Sequence, residues 1–236
     1  MSEAVEVIGE SLGARAPERR RDALAVAAPA AIAAVVCFFN LWRFGLWEPD
    51  ESRYAEIARE MVTGGSYVVP HLNYVIYVEK PPLLYWLVAL SYHIFGVTEF
   101  AARFFPAMFA VLGVAATAYF ALRTFGRRHA TLAGAILATT PLYAVLSQVL
   151  LTDMLLAVVM TIANFALYLH WREGRGDFGK WWWIACIAMA AGALTKGPVG
   201  VALPVLAMVA FLAWQRDLRG ALGRFHAIAG LSLIHI

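Results

Sequence analysis

ALAVAAPAAIAAVVCFFNL, Ala23–Leu41, followed five residues later by WEPDESRYAEIAREM, Trp47–Met61, is the stretch on which the fold turns. The first run is 19 residues long and carries no charge, close to the about 20 residues that a helix needs to cross a bilayer. Arg15, Arg19, Arg20 and Arg21 precede it, as basic residues precede a secretory signal. A signal's apolar region is shorter, about 7–15 residues, and ends at a small-residue cleavage site. No such site followed by soluble sequence is present here, so the run reads as a retained first span. The second stretch abruptly changes character and holds a dense set of acids.

Composition agrees with a membrane protein. The 236-residue chain is 61% hydrophobic and 15% charged, against about 45–50% and 25% for a soluble domain. Its two cysteines, Cys37 and Cys186, sit inside apolar runs and read as small buried hydrophobes rather than a disulfide or metal set. Further apolar runs cover 81–97, 104–122, 130–150, 154–170, 181–195 and 199–214. The runs 81–97 and 181–195 are marginal in length for spans.

Basic clusters settle the topology, because short cytoplasmic loops collect Lys and Arg. The clusters are the N-terminal tail, Arg123/Arg127/Arg128, Arg172/Arg175/Lys180 and Arg216/Arg219/Arg224. All share one side only if 81–97 does not cross. Pro81-Pro82 and the interior Tyr85, Trp86, Tyr92 and His93 suit an interfacial position for that segment. The expected fold is therefore an all-α polytopic membrane protein. A basic cytoplasmic tail, 1–22, precedes a transmembrane module, 23–215, of about six spans with a large outer loop, 46–103. The rest, 216–236, reads as a truncated end, and 231–236 also matches what translation of a sequencing-library transposon end would give. The N-terminus is expected in the cytoplasm, with the outer loop on the far side of a bacterial inner membrane.

This topology places Asp50, Glu79, Lys80, Asp153 and Lys196 on one face. Asp50 to Met61 reads as an amphipathic surface helix, with Pro49 at its first position, acids in its first turn, and Gly64-Gly65 as its stop. Tyr54, Ile57, Ala58 and Met61 form its apolar stripe. Each charged site also has an ordinary reading. Asp50 and Glu51 can simply start a helix, Glu79-Lys80 can be a boundary ion pair, and Thr152-Asp153 can be an N-cap with an acidic first turn. Thr195-Lys196-Gly197-Pro198 reads as a helix start whose free N–H groups would help Lys196 bind an anion, or as a lysine reaching for headgroups. Together they make a different pattern: acids to accept a proton and lysines to hold a leaving phosphate. A phosphate at the membrane surface implies a lipid carrier.

Trp47–Met61, with Val69-Pro70-His71, Glu79-Lys80-Pro81, Phe95-Gly96, Thr152-Asp153 and Thr195-Lys196-Gly197 following in order, resembles the bacterial aminoarabinose (lipid A) transferases and their protein O-mannosyltransferase relatives. The resemblance implies a glycosyltransferase C-type fold, a polyprenyl-phosphate-linked sugar donor and inversion at the sugar carbon. It implies Asp50 as the catalytic carboxylate with Asp153 beside it, and Lys80 and Lys196 on the donor phosphate. Glu51, Arg53, Tyr54 and Glu79 would line the site. Some members of that family carry a divalent metal near the residue matching Glu79; the sequence offers no ligand set of clear spacing, so no metal is assigned. The acceptor would be lipid A, another glycan or lipid, or a protein hydroxyl. Two other classes compete: a lipid-linked-sugar flippase and a non-catalytic membrane-assembly subunit. A flippase calls for polar residues at mid-membrane depth, where Gln148 and Asn164 are the main exceptions to Ala/Leu/Val-rich spans. An assembly subunit leaves the outer acids and lysines without a role.

Overall fold

A computed structural model describes residues 2–173 and 179–217, with side chains from Glu18 onward. In chain order the elements are α1 (Ser2–Phe38), α2 (Asp50–Gly64), β1 (His71–Leu72), β2 (Val75–Ile76), α3 (Leu83–Phe95), α4 (Glu99–Phe125), α5 (Arg127–Thr139), α6 (Pro141–Ser147), α7 (Thr152–Glu173), α8 (Lys180–Lys196) and α9 (Val199–Trp214). The end read as transposon-derived, 231–236, lies outside the described residues, as do Arg175, Arg219 and Arg224 of the basic clusters.

Among the described residues, Glu18–Phe38, Glu99–Phe125 and Thr152–Glu173 are each long and apolar enough to cross a membrane. The run 130–150 is a broken span rather than one rod: α5 and α6 qualify together but bend by 64° at their junction. Pro141 opens α6, and its missing N–H and bulky ring end the preceding helix. The other two expected spans, α8 and α9, have 17 and 16 residues, or about 24–26 Å at 1.5 Å per residue. Their ends keep level with α7 all the same. Lys196 Nζ meets Asp153 Oδ1 at 2.7 Å at one end. At the other, Trp181 Nε1 donates to Glu173 Oε1 at 2.7 Å and Trp171 Nε1 to Asp217 Oδ2 at 2.9 Å.

That second end gathers the basic groups. Arg127 pairs with Asp22, Arg123 with Glu173 at 3.3 Å, and the Lys180 ammonium lies 4.8 Å from the Trp181 ring centroid. α1 extends back through the segment read as a basic cytoplasmic tail, which is rich in the helix formers Ala, Glu and Arg.

The opposite end, which the charge pattern reads as the outer one, carries α2, the hairpin and α3. α3 has 13 residues, about 20 Å, shorter than the about 30 Å of a bilayer's hydrocarbon core. The α2 stripe is real, with Tyr54, Ile57, Ala58 and Met61 all 3% exposed or less. It is not a lipid-facing stripe, however. It shares one apolar cluster with Leu84, Tyr85 and Val88 of α3 and with Ala101 and Ala102 of α4. The sequence pattern reports burial and does not distinguish lipid from protein as the cover. Gly65 ends α2 in the left-handed region, φ 72°, its N–H returning to Met61 O, as the Gly pair predicts. Pro49 stands one position earlier than expected, as the N-cap residue. The β1–β2 hairpin was not foreseen; Asn73 and Tyr74 at φ 54° and 65° make the two-residue turn that a twisted hairpin requires.

Below this layer the helices are held by close approach of small residues, as helix contacts in membranes are. Ala33, Ala107, Ala110, Val114, Ala138 and Val158 form one cluster across α1, α4, α5 and α7, and α7, α8 and α9 share another around Ala185, Cys186 and Met189. Both cysteines are free and buried. Gln148 works between segments, its amide donating to Val36 O and Phe39 O. Asn164 instead bonds within its own helix, to Met160 O.

Candidate active site

Asp50 and Glu51 are consecutive on α2, and successive helical residues point about 100° apart, so the two acids go different ways. Glu51 turns inward and is 2% exposed. Its Oε1 accepts from Arg103 Nε at 2.9 Å and from Leu150 N at 2.7 Å. Its Oε2 accepts from Arg103 Nη2 at 2.7 Å and from Trp47 N at 2.8 Å. Arg103, itself 4% exposed, spends its other donors on Leu41 O, Phe44 O and Gly45 O at 3.1, 2.8 and 2.9 Å. All five guanidinium N–H groups and all four carboxylate lone-pair positions are thereby used. Burial alone would raise the Glu51 carboxyl, but the Arg103 hydrogen bonds and the Leu150 and Trp47 amides take it below its ordinary value. Glu51 was expected to line the site. It is instead a buried brace joining four chain segments behind it, and Arg103, its partner 52 residues away, was not foreseen.

Asp50 faces out. Its carboxylate lies 3.8 Å from Arg53 Nη1, and the two side chains are 52% and 33% exposed. Arg53 stands beside Tyr77, whose neighbourhood, with Asp50 and Glu79, holds the guanidinium in its charged form. The Tyr77 hydroxyl donates to Glu79 Oε2 at 2.7 Å. Burial and that hydrogen bond push the Tyr77 hydroxyl up from its ordinary value. Tyr54 lies between the two halves of the cluster. Its hydroxyl is raised by burial and then by Asp50, and it also feels Arg53, Asp153 and Lys196. Asp50, Arg53, Tyr54, Glu79, Asp153 and Lys196 thus come to one end of the bundle, with Tyr77 as an addition that sequence reading missed. Its one signal was its place two residues before Glu79.

Lys196 corrects another expectation. It is the last residue of α8 rather than the lead-in to α9; Gly197, at φ 74°, makes the turn and Pro198 is the N-cap residue of α9. Its ammonium is therefore set against the negative end of α8 and against Asp153, not free over open N–H groups. Lys80 directly follows Glu79 and, among the described residues, makes no ion pair or hydrogen bond with another side chain. Around Glu79 the donors do not fit a protein-held divalent cation: among the described residues no three His, Cys, Asp or Glu side chains converge.

The chain is similar to an undecaprenyl phosphate-alpha-4-amino-4-deoxy-L-arabinose arabinosyl transferase of Aeromonas hydrophila, 36% identical over 191 residues that cover 80% of this chain and 35% of that one. It is 32% identical to an uncharacterized protein of Aquifex aeolicus over 72% of this chain and 34% of that one. It thus spans about a third of the length of these curated relatives. In structure it is similar to ArnT from Cupriavidus metallidurans, solved in the apo state and bound to undecaprenyl phosphate, with a TM-score of 0.79, 34% identity, and coverage of 89% of this chain and 39% of that one. Matched by the family model from residue 23 to residue 233, this multipass helical chain belongs to the dolichyl-phosphate-mannose-protein mannosyltransferase family.

Proposed function

We propose that the full-length protein transfers a sugar from a polyprenyl-phosphate donor to an acceptor at the outer face of a bacterial inner membrane, inverting the sugar carbon. The observation that carries this reading is the gathering of Asp50, Arg53, Glu79, Asp153 and Lys196 at one end of the bundle, opposite the basic end. The arabinosyl transferase relatives and the undecaprenyl phosphate found with ArnT support a lipid-phosphate donor. In the reaction, an acceptor oxygen attacks the sugar carbon from the face opposite the phosphate. The carbon–oxygen bond to the phosphate breaks, and polyprenyl phosphate leaves.

Asp50 is the catalytic carboxylate, since it is exposed and stands on a rigid helix start. With a hydroxyl acceptor it takes the proton. With an ionised lipid A phosphate as acceptor there is no proton to take, and Asp50 orients the attacking group. Lys80, free of side-chain partners, holds the departing phosphate. Lys196 contributes there from its pairing with Asp153, and Arg53, Tyr54 and Glu79 line the site between them.

Asp50→Asn in the full-length protein is expected to lower transfer of radiolabelled sugar in membranes, by about 10²–10⁴-fold where the acceptor is a hydroxyl whose proton Asp50 takes, with unchanged membrane level. Transfer at the normal rate in that variant would reject the reading. Orientation is tested with a membrane-impermeant thiol reagent on whole cells. Val97→Cys is expected to react and Arg128→Cys not to, each measured against the parent protein without the added cysteine; Cys37 and Cys186 are buried. The reverse pattern would invert the assignment of faces.

A further inference from the structure

Beneath the exposed cluster lies a group that the scheme above does not use. Tyr85, on α3, is 0% exposed. Its ring is 6.0 Å from that of Tyr54, tilted by 47°. Its hydroxyl is buried and, among the described residues, has no hydrogen-bond partner. The ring needs no explanation, since it belongs to the apolar cluster between α2, α3 and α4. The hydroxyl does, because burying a hydroxyl without a hydrogen bond is unfavourable relative to the same site without it. A phenylalanine would fill this position at no such cost.

Its surroundings say what is near it. Besides the Tyr54 ring at 6.0 Å, the groups whose charges act on the hydroxyl are Tyr77, Tyr54, Glu79 and Arg53, which belong to the site. Two of them are already engaged with each other, Tyr77 donating to Glu79, and Arg53 leans toward Asp50. The Tyr85 hydroxyl is left over beside this pair, and a Tyr77 side chain that moved off Glu79 would open a way to it.

We infer that Tyr85 is a donor-binding residue of the transferase site, its hydroxyl finding its partner only when an oxygen of the lipid-linked sugar enters beside Glu79 and Arg53. That oxygen belongs either to the phosphate or to a sugar hydroxyl, and both accept from a phenol. This inference rests on the transferase reading of the same site.

Tyr85→Phe is the test, because it removes the hydroxyl and keeps the packed ring. In the full-length protein its thermal unfolding temperature in detergent is expected to be unchanged or higher, since no hydrogen bond is lost. Transfer from undecaprenyl-phosphate-linked aminoarabinose is expected to fall by about ten- to a hundredfold in kcat/KM, as a charge-assisted or well-placed hydrogen bond would give. Weakened binding of undecaprenyl phosphate alone assigns the contact to the phosphate; weakened use of the donor with unchanged undecaprenyl phosphate binding assigns it to the sugar. Normal transfer by Tyr85→Phe, with Asp50→Asn inactive beside it, overturns the role of Tyr85 and leaves the transferase reading standing. No transfer by the wild-type protein from this or any other polyprenyl-phosphate sugar removes both.

Discussion

Replacing Glu51 by Gln is expected to destabilise the protein by about 3–5 kcal/mol, the cost of leaving one member of a buried ion pair uncompensated. The geometry makes the position unforgiving. Each Glu51 oxygen accepts two N–H groups, so an amide NH2 in either orientation points its hydrogens at other donors. Arg103→Lys should fare little better, because an ammonium has three donors for the five acceptors that Arg103 now satisfies. Arg103→Met should be as costly as Glu51→Gln, since it strands a buried carboxylate and the carbonyls of Leu41, Phe44 and Gly45. The measurement is the unfolding temperature of the purified full-length protein. Wild-type stability in Glu51→Gln would sink the argument.

The same pair has a pH signature. A carboxyl with a lowered folded-state pKa contributes stability that is present above its unfolded value, about 4.3. That stability is lost as pH falls through the lowered folded value. The acid-unfolding midpoint should therefore move to higher pH if the brace is weakened, as in Arg103→Lys. Activity should follow stability here, because the brace holds the site from two directions. Glu51 is next to Asp50, and the Leu150 amide it binds lies three residues before Asp153.

How much of this could be read beforehand depends on whether the cause was local. The α2 helix was legible because its signals lie inside fifteen residues: acids first, an apolar stripe, a glycine pair last. The gathering of Asp50, Glu79, Asp153 and Lys196 at one end was legible because charge asymmetry between loops survives without any knowledge of contacts. What the stripe packed against was not, since burial by α3 and burial by lipid select the same residues. Glu51 was misread for a related reason. Beside Asp50 it looks like another site acid, and only Arg103, at the start of a span 52 residues on, reveals its inward direction. Lys196 was placed at the wrong helix end because Gly197-Pro198 can follow a C-terminus as well as precede an N-terminus, and the left-handed φ of Gly197 decides for the former. Tyr77 and Tyr85 were hidden among aromatics that any interfacial segment would carry.

The helix crossing that carries Lys196 supplies the other large effect. Gly192 on α8 and Gly200 on α9 each stand four residues from Lys196, and their backbones touch. A Cβ on Gly200 would run into the Gly192 carbonyl carbon, with the Gly192 oxygen and Cα at 2.5 and 2.6 Å. A Cβ on Gly192 would meet Gly200 Cα and O at 3.0 Å. Neither obstacle is a flexible side chain, so the helices themselves must part. Overpacking of this kind costs about 1–3 kcal/mol, and the upper end is expected for Gly200→Ala. Gly192→Ala should cost less, since its contacts are looser by several tenths of an ångström. Parting the hairpin also lifts the turn that sets Lys196 against Asp153, a contact of 2.7 Å with little slack. Gly200→Ala should therefore lose transfer activity out of proportion to its loss of folded protein, and Lys196→Met combined with it should add little further loss. Measuring both variants for unfolding temperature and for transfer per folded molecule decides the matter. An alanine at 200 tolerated as well as one at 192 would mean that the two helices are not locked at this crossing, and that Lys196 is positioned by its ion pair alone.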